Sequence, residues 1–560
     1  MLKKYSYMVA AFLVIDWQSV DAAPVEPVLP NAGSILQEMQ PLKRSLPPSN
    51  DNGLKIDQVD ANQLPESDPF EVKRFEIKGN RSIDTKTLHA LVGNKEGQSL
   101  TLRQLGELAS TLTRYYHEHN YPLAVVIVPA QEVKDGVVTL QVLEASYGKV
   151  VLDNQSNLRS MLLNSTASPL KSGELIAGDR LNRTLLILND IPGVNVNAEI
   201  KQGEAAGTSD LIINAKDAKW WRASISASDN GSASIGRMRG NTNLDLINPL
   251  GLGDILSISG MTAGSGMNYG RASYELLIDG QGTRVGAAYS NLNYQLGQQY
   301  KSINAHGSSE NVSAWIKHPL VRSMEINLYA QAEIDHTVLK DHIDQSSSKT
   351  DRTLDYGVLT LSGDSRDHLI SDGINLFNLS LSTGKLSFDD AYAKFIDYYT
   401  TQSHGDFTKL NLNLTRMQQL GHQFSLYGNL SAQWTNSNLD SSQKIIVGGP
   451  YSVRAYDVSA LSGDAGESVT LELRKDFPST IGNWQAVAFY DASHLTINHS
   501  PWRAGTNDAT LQGVGLGLSW QNSDLWSARM NVAAPVGNET KLLSPSSIGP
   551  RVWAEVRKDF

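Results

Sequence analysis

The chain has 560 residues, a formal net charge of −10 and no cysteine. Without cysteine it forms no disulfide, thiolate metal site or thiol nucleophile, and its acidic balance argues against a nucleic-acid binder. The length predicts roughly two to four domains. Past the N-terminus, no apolar run approaches the roughly 18 residues that a membrane helix needs.

The N-terminus has the pattern of a secretory signal. Lys3 and Lys4 precede an apolar run at residues 5–15, and the segment 20–22 fits a cleavage site. The apolar run is too short to span a bilayer as an uncleaved anchor. The mature chain is therefore predicted to be exported.

A short helix and a linker are predicted next. Ile35, Leu36 and Met39 fall on one face of a helix within residues 31–46. Residues 47–67 are polar and rich in proline, which predicts an irregular linker. A helix on such a tether fits a movable element, and a frayed N-terminus is the alternative that the residues leave open.

Two consecutive units, residues 68–146 and 147–217, show one order of predicted elements, β-α-α-β-β. In the first unit two amphipathic helices follow an opening strand, and two more strands follow the helices. The second unit repeats this order with a weaker pattern. Two such units of similar length predict an internal repeat.

From residue 218 onward, helical periodicity gives way to runs in which apolar and polar residues alternate. Leu410, Leu412 and Leu414, for example, alternate with Asn411 and Asn413. About sixteen such runs, an even number, fit a closed antiparallel membrane barrel with its apolar face toward lipid. A soluble sandwich is the alternative, but these runs reach the roughly 9–11 residues of a tilted membrane crossing.

One connection in this region, residues 446–463, is too long and too rich in glycine, proline and aromatic residues for a simple hairpin. Arg454 within it is predicted to pair with Asp491 of a later strand, because a guanidinium removed from water needs a partner that suits its planar fork. The pair would hold the loop folded back inside the closed sheet. By pattern alone, an exposed arginine and an unrelated aspartate are an equal alternative.

Several motifs along the chain belong together. They are LNDIPGV at 188–194, DNGS at 229–232, NPLGLGD at 248–254, VRAY at 453–456 and FYDAS at 489–493. Together they resemble two-partner secretion transporters of the FhaC/ShlB/HecB type, within the Omp85 superfamily. The resemblance extends over essentially the whole mature chain.

The resemblance implies an α+β periplasmic part followed by an all-β membrane barrel. This fold has an N-terminal plug helix, two POTRA domains and a 16-stranded antiparallel transmembrane β-barrel. The implied divisions are a signal peptide at 1–22, a plug helix at 31–46, a linker at 47–67, POTRA 1 at 68–146, POTRA 2 at 147–217, and a barrel at 218–560 with a lumenal lid loop at 446–463.

The resemblance also assigns residues to the lid. Val453, Arg454, Ala455 and Tyr456 resemble the VRGY/F tip of the lid loop, and Phe489, Asp491 and Ser493 resemble the FxDxG motif of the inner barrel wall. Ala455 and Ser493 each replace a family glycine. Because glycine tolerates left-handed backbone and close approach better than other residues, these changes bear on the turn geometry and not on the charge pair.

The implied function is outer-membrane translocation of an unfolded partner exoprotein, such as a haemolysin, an adhesin, a contact-dependent inhibition toxin or a haem-binding protein. The sequence holds no nucleotide motif and no convincing catalytic constellation, so neither an enzyme, a metal nor a cofactor is predicted. A monomer in outer-membrane lipid is expected, assembled by the barrel-assembly machinery through Ala554, Val556 and Phe560. The alternatives are an insertase for other barrel proteins and a passive porin.

Capture of an unfolded chain is predicted at an exposed strand edge of POTRA 1, because main-chain hydrogen bonds are independent of sequence. The candidate residues come from the strand at 123–128 and from the helix beside it: Leu105, Leu112, Tyr116, Leu123, Val125 and Ile127. Two alternatives stay open. The helix residues fit plain core, and Pro122 and Pro129 fit a strand edge blunted against pairing.

Overall fold

The structure is a computed structural model, and it describes residues 29–39, 51–56, 64–205, 207–537, 542–543 and 549–560. The predicted signal peptide at residues 1–22 lies outside these residues, as do parts of the predicted plug helix and linker. Among the residues described, no helix combines the length and the apolar character needed to cross a membrane.

Two short elements precede the repeated units. Helix α1 spans Ala32–Met39, and strand β1 spans Leu54–Ile56, within the segment predicted as an irregular linker. The three residues of β1 pair in parallel with residues 198–200 of the second unit. Since the unpaired groups of an edge strand accept any extended chain, this pairing needs no pattern that the sequence would display.

The first unit packs two helices on a small sheet. Its elements are β2 (Phe70–Val72), β3 (Arg74–Lys78), α2 (Thr85–Val92), a 3₁₀ turn (Gly93–Lys95), β4 (Gln98–Leu100), α3 (Leu102–Glu118), β5 (Val125–Ile127) and β6 (Val137–Leu143). Thr101 and Gln104 form a capping box that begins α3. The main sheet has the order β3-β6-β5, with β5 antiparallel at its edge.

The second unit repeats the arrangement. Its elements are β7 (Ser146–Gln155), α4 (Ser160–Ala167), α5 (Gly178–Asn189), β8 (Val194–Gln202) and β9 (Thr208–Asp217). The sheet has the order β1-β8-β9-β7, so that β1 covers the free edge of β8. The predicted β-α-α-β-β order is present in both units, and the first unit adds to it a two-stranded sheet of β2 and β4, with β4 between the two helices.

A closed barrel of sixteen antiparallel strands follows, as predicted. Its strands are β10 (Trp221–Ser228), β11 (Arg239–Ile247), β12 (Ile255–Thr262), β13 (Met267–Leu277), β14 (Arg284–Gln295), β15 (Ala305–Arg322), β16 (Ile326–Ile343), β17 (Ser348–Asp367), β18 (Gly373–Phe388), β19 (Gly405–Gly421), β20 (Phe424–Thr435), β23 (Ala465–Ser479), β24 (Gly482–Thr496), β25 (Asp508–Gln521), β26 (Trp526–Pro535) and β27 (Arg551–Asp559). Between β20 and β23, the short strands β21 (Ile445–Val447) and β22 (Leu461–Gly463) pair with each other.

The alternation predicted for the barrel strands separates an outer face from an inner face. Leu359, Leu361 and Leu516 are exposed on the outside, as are Val556 and Phe560 of the last strand. β27 closes the barrel by pairing with β10. The outer face is apolar over the height of a membrane, whereas many inward residues are polar and buried by elements inside the lumen.

The two N-terminal units are fixed to each other and to the barrel. Asn120 of the first unit accepts hydrogen bonds from the backbone N–H groups of Gly178 and Asp179, at 2.8 and 2.6 Å, and thereby caps α5 of the second unit. Buried Arg322 of β15 binds both carboxylate oxygens of Asp190, at 2.6 and 2.9 Å. The second unit therefore sits against one end of the barrel in a defined orientation.

The opposite end of the barrel carries the longer connections. They include 3₁₀ turns at Gln298–Ile303 and Asp344–Ser346, helix α6 at Ala391–Tyr399, and the segment between β20 and β23. Strands β15 to β17 have 18 to 20 residues, against 8 or 9 in β10 to β12. Because roughly 9–11 residues cross a membrane, the wall built by the long strands extends well beyond it on this side.

Candidate functional site

The segment between β20 and β23 folds back into the lumen on a stem formed by β21 and β22. Gly448 and Gly449 turn the chain with φ of 99° and 94°, in the region that favours glycine. The N–H of Gly449 donates to the carbonyl of Tyr456 at 3.0 Å. This tight return presents the next residues, from 453 to 456, to the barrel wall.

Arg454 at the tip of this lid loop forms a bidentate ion pair with Asp491 of β24. Its Nε and Nη2 atoms lie 2.8 Å from the two carboxylate oxygens, and its backbone N–H donates to the same carboxylate at 3.1 Å. Asp491 is 0% exposed and Arg454 is 6% exposed. A carboxylate so enclosed is stable only with this full set of donors.

Three further groups complete the surroundings of Arg454. Its Nη1 donates to Glu472 of β23 at 2.8 Å, its guanidinium carbon lies 3.4 Å from the ring centre of Phe489, and its carbonyl accepts from the indole N–H of Trp553 at 2.7 Å. Burial opposes the charged guanidinium, but hydrogen bonds and negative charge from Asp491 and Glu472 raise the pKa of Arg454 above its ordinary value.

The two replaced glycines are accommodated by their neighbours. Neither Ala455 nor Ser493 has a left-handed backbone. The Cβ of Ala455 lies directly over Gly513 of β25, where a Cβ would stand 2.5 Å from it. Ser493 donates a hydrogen bond from its hydroxyl to that of Ser468 at 2.7 Å. Val453 and Tyr456 pack beside Ala455 in one buried apolar cluster.

Helix α1 occupies the lumen near the end with the long connections. Ile35, Leu36 and Met39 are buried against inward-facing apolar residues of the barrel wall, among them Leu339 and Leu354 on the long strands β16 and β17. The predicted apolar face of this helix is thus used for packing inside the barrel. The helix and the lid loop both lie inside the barrel and contact its wall.

Charged groups hold both ends of α1. At its N-terminus, the N–H of Ala32 donates to Asp341 at 2.7 Å, and Arg352 links Asp341 to Asp440 through contacts of 2.5 Å on each side. Near its C-terminus, Glu38 forms an ion pair with Arg239 of β11 at 2.5 Å.

Glu38 also connects α1 to the lid loop. Its second carboxylate oxygen accepts a hydrogen bond from Ser459 at 3.0 Å. Burial raises the pKa of Glu38 above its ordinary value, against the opposing effect of Arg239. One side chain of the helix therefore contacts both the barrel wall and the lid.

The residues predicted to capture substrate have other surroundings. Leu105, Leu112 and Tyr116 are fully enclosed in the core of the first unit, as the alternative had it. Leu123 lies outside β5 and packs toward the core of the second unit. Leu105, Leu112 and Tyr116 therefore offer no surface to a substrate in the folded state, and Leu123 is partly buried.

Strand β5 itself is a poor template for strand addition. It has only three residues, Val125–Ile127. The N–H of Val126 is taken by the hydroxyl of Thr113 on α3, at 2.9 Å. Helix α3 therefore covers the edge that was expected to be free, which periodicity along α3 does not reveal.

Sequence reasoning missed several residues that contact the lid and α1: Glu472, Trp553, Gly513, Glu38 and Arg239. Their alternation placed Glu472, Trp553 and Gly513 on the inward face, and that signal was available. Which inward residue meets the lid depends on the register of strands far apart in the chain. For Glu38 and Arg239 the sequence shows only that the two residues carry opposite charges, and nothing in it indicates that they meet.

Comparison with known proteins decides the family. Residues 207–520 match the family described as haemolysin secretion/activation protein ShlB/FhaC/HecB, and residues 70–145 match the ShlB-type POTRA domain. The first match covers more than half of the chain. The chain belongs to the ShlB/FhaC/HecB family.

Individual relatives agree with this assignment. The chain is 28% identical to the heme/hemopexin transporter protein HuxB of Haemophilus influenzae (strain 86-028NP) over 91% of this chain and 92% of that protein. It is 23% identical to the outer membrane transporter CdiB of Dickeya dadantii (strain 3937), over 79% of each. The solved structure of CdiB from Escherichia coli matches with a TM-score of 0.70 at 19% identity, covering 96% of this chain and 100% of that one.

As a member of the ShlB/FhaC/HecB family, the chain is an outer-membrane transporter that moves a partner exoprotein to the cell surface. The two repeated units are POTRA domains on the periplasmic side, and the long connections lie outside the cell. Translocation, and not barrel insertion, is the activity of the related transporters. Members of this family are transporters and not enzymes.

The contact between Ala455 and Gly513 gives a prediction for this family member. Gly513→Ala is expected to displace the lid tip, because overpacking at a fixed site costs about 1–3 kcal/mol. Displacement exposes the bond after Arg454 to trypsin added to the purified protein, and mass spectrometry detects the cleavage. Ala455→Gly in the same chain restores resistance, and Gly270→Ala, with open space around it, serves as control. Full resistance of Gly513→Ala to trypsin would contradict the packing argument.

A second prediction concerns the docking of α1. Glu38→Ala leaves Arg239 buried without its carboxylate, which costs about 3–5 kcal/mol for a buried pair and favours release of the helix. Channel openings in a planar bilayer are expected to become more frequent. Because Glu38→Ala/Arg239→Ala removes both charges, it is expected to open less often than the single variant. An unchanged closed trace for Glu38→Ala would show that this pair does not retain the helix.

Proposed function

We propose that the transporter rests in a closed state held by the lid loop and α1, and that the exoprotein passes when α1 leaves the lumen. The observation that carries this proposal is the enclosed fork of Arg454 on Asp491, with Glu472 as a second carboxylate. It fixes the lid at the wall without a covalent bond. Glu38 then ties the position of α1 to that of the lid.

Capture of the exoprotein is assigned here to the edge of β8 in the second POTRA domain. This edge is occupied by β1 through three parallel residue pairs. So short a strand is a weak occupant, and an extended substrate segment can replace it with main-chain hydrogen bonds of its own. Because β1 and α1 lie on one continuous segment of chain, displacement of β1 would also loosen the tether of the plug.

Transport in this scheme runs on the free energy of the exoprotein. The sequence has no nucleotide-binding motif. Once a translocated segment folds outside the cell it can no longer slide back through the lumen, and transport therefore proceeds outward. A lumen that reads only extended backbone accepts many sequences.

The cargo is proposed to be a large exported protein that serves haem acquisition. This choice follows the similarity to HuxB, a heme/hemopexin transporter protein, which extends over 91% of this chain. A haemolysin, an adhesin and a contact-dependent inhibition toxin are the alternatives. Comparison of the surface proteins of a strain with and without this transporter distinguishes them.

The lid proposal is tested by secretion. Arg454→Ala is expected to leave the barrel inserted and to lower secretion of the partner exoprotein at least tenfold, since one orphaned partner of a buried pair costs about 3–5 kcal/mol. Exoprotein in the medium is measured by immunoblot, and insertion by heat-modifiable migration on gels. Arg237→Ala is the control, because Arg237 also pairs with the lid, through Asp457, but is half exposed. Normal secretion by both Arg454→Ala and Asp491→Ala would remove the lid from the mechanism.

The capture proposal is tested with a reversible cross-link, which a chain without cysteine allows. Lys55→Cys and Glu199→Cys stand opposite each other on β1 and β8. Their disulfide is expected to stop secretion, and reduction is expected to restore it. The matched control joins β7 to β9 through Asp153→Cys and Asn214→Cys, which also stand opposite each other. Normal secretion with the first disulfide formed would place capture elsewhere.

A further inference from the structure

Helix α6, between β18 and β19, exposes an apolar stripe on the extracellular side. Tyr392, Phe395, Ile396 and Tyr399 recur at the spacing of one helix face, which in most helices faces a core. Here these residues and Tyr398 are 43% to 67% exposed. The rings contact one another, with centres 4.8 Å apart for Phe395 and Tyr399 and 5.1 Å apart for Tyr398 and Tyr399. Such a cluster on an exposed helix marks an interaction surface.

The helix is firmly built beneath this stripe. Asp390 caps its first turn by accepting from the N–H of Ala393 at 2.9 Å. Asp397, which is buried, accepts from the backbone N–H groups of Ser403 and His404 at 3.0 and 2.9 Å. A helix fixed in this way presents its aromatic side chains with little entropy left to lose on binding.

The stripe stands above the membrane. On β18 the outward residues Leu379 and Leu381 are apolar and exposed, but the outward residue Lys385 is charged. Phe388, just before α6, lies seven residues after Leu381, which corresponds to about 23 Å of strand and about 16 Å of height at a tilt near 45°.

The neighbouring wall is polar at the same level. The outward side chains of His336 and Asp355, and those of His342 and Asp351, contact each other between β16 and β17 at 2.6 and 3.2 Å, above the lipid-facing leucines. A polar collar therefore separates α6 from the hydrocarbon region. Lipid tails do not reach the stripe.

The residues that flank α6 lie at the exit of the channel. Phe388 packs at the margin of the cluster that holds α1, and its ring lies 6.2 Å from that of His404, in the loop anchored by Asp397. On the other side, Asn438 at the base of the lid segment donates to the carbonyls of Thr401 and Ser500, at 2.5 and 2.9 Å. Both ends of α6 therefore border the exit of the channel, and Phe388 at its start borders the apolar cluster that α1 occupies.

We propose that the aromatic stripe of α6 is the first extracellular docking surface for the emerging exoprotein. This inference rests on the translocation activity of the family. A chain that leaves the lumen before folding exposes apolar side chains of no fixed sequence. Rigid tyrosine and phenylalanine rings bind such side chains broadly, through apolar contact with a polar rim. A segment held there is hindered from sliding back.

The first test is site-specific photo-crosslinking in secreting cells. p-Benzoylphenylalanine replaces Tyr398, and the probe is the tagged partner exoprotein of this transporter. A crosslink to the exoprotein is expected at Tyr398 and not at Leu516, which is equally exposed but faces lipid. Crosslinks from Tyr398 only to lipopolysaccharide, or only to a second copy of this chain, would overturn the proposal.

The second test separates the rings from the fold of the helix. Tyr392→Ser/Phe395→Ser/Tyr399→Ser is expected to lower the rate of secretion about tenfold, as for the loss of an aromatic hot spot. Tyr392→Phe/Tyr398→Phe/Tyr399→Phe keeps the rings and is expected to secrete normally. Both variants should show normal barrel insertion and closed-channel conductance. Normal secretion by the serine variant would contradict a docking role for α6, and the translocation function of the barrel would be unaffected by that result.

Discussion

A guanidinium withdrawn from water determines how the lumen is organised. Arg454 is enclosed only because Asp491 supplies two oxygens, Glu472 a third and Phe489 a ring face. A guanidinium buried at that depth without a carboxylate partner would strongly destabilise the closed state, so the lid loop is stable at one position on the wall. From that position Ser459 reaches Glu38, and Glu38 reaches Arg239. Wall, lid, helix and wall thus form one continuous set of polar contacts.

The attachment of α1 is suited to a plug that must leave. Three buried apolar side chains, Ile35, Leu36 and Met39, contribute at most about 5–9 kcal/mol relative to exposure. The charged contacts at either end add less, because each buried ion has already lost its hydration. These contacts determine the position of α1 in the lumen more than the strength with which it binds there. A competing interaction of ordinary strength at the POTRA domains is therefore enough to shift the balance.

The order of domains and strands could be predicted from the sequence because the patterns that indicate it are local. Alternating apolar and polar residues predict β18 and β19 as strands, whichever strands they pair with. An arginine at a loop tip inside a closed sheet predicts a carboxylate partner. The misses concern contacts that no local pattern records. Glu472 and Trp553 meet Arg454 only once the register between strands far apart in the chain is set. Helical spacing gave Leu105 and Leu112 one face of α3, and core packing and substrate binding produce the same spacing.

The position of one glycine shows how a motif can change while its geometry persists. The lid tip approaches the wall so closely that one of the two surfaces must lack a side chain. The family pattern that this chain resembles places the glycine in the loop, whereas here Ala455 lies over Gly513 of β25. The methyl group of Ala455 fits against the wall because Gly513 has no side chain there. Since neither Ala455 nor Ser493 needs a left-handed backbone, the exchange leaves Arg454 within reach of Asp491. The requirement is therefore on the gap between the two surfaces and not on a residue at either one.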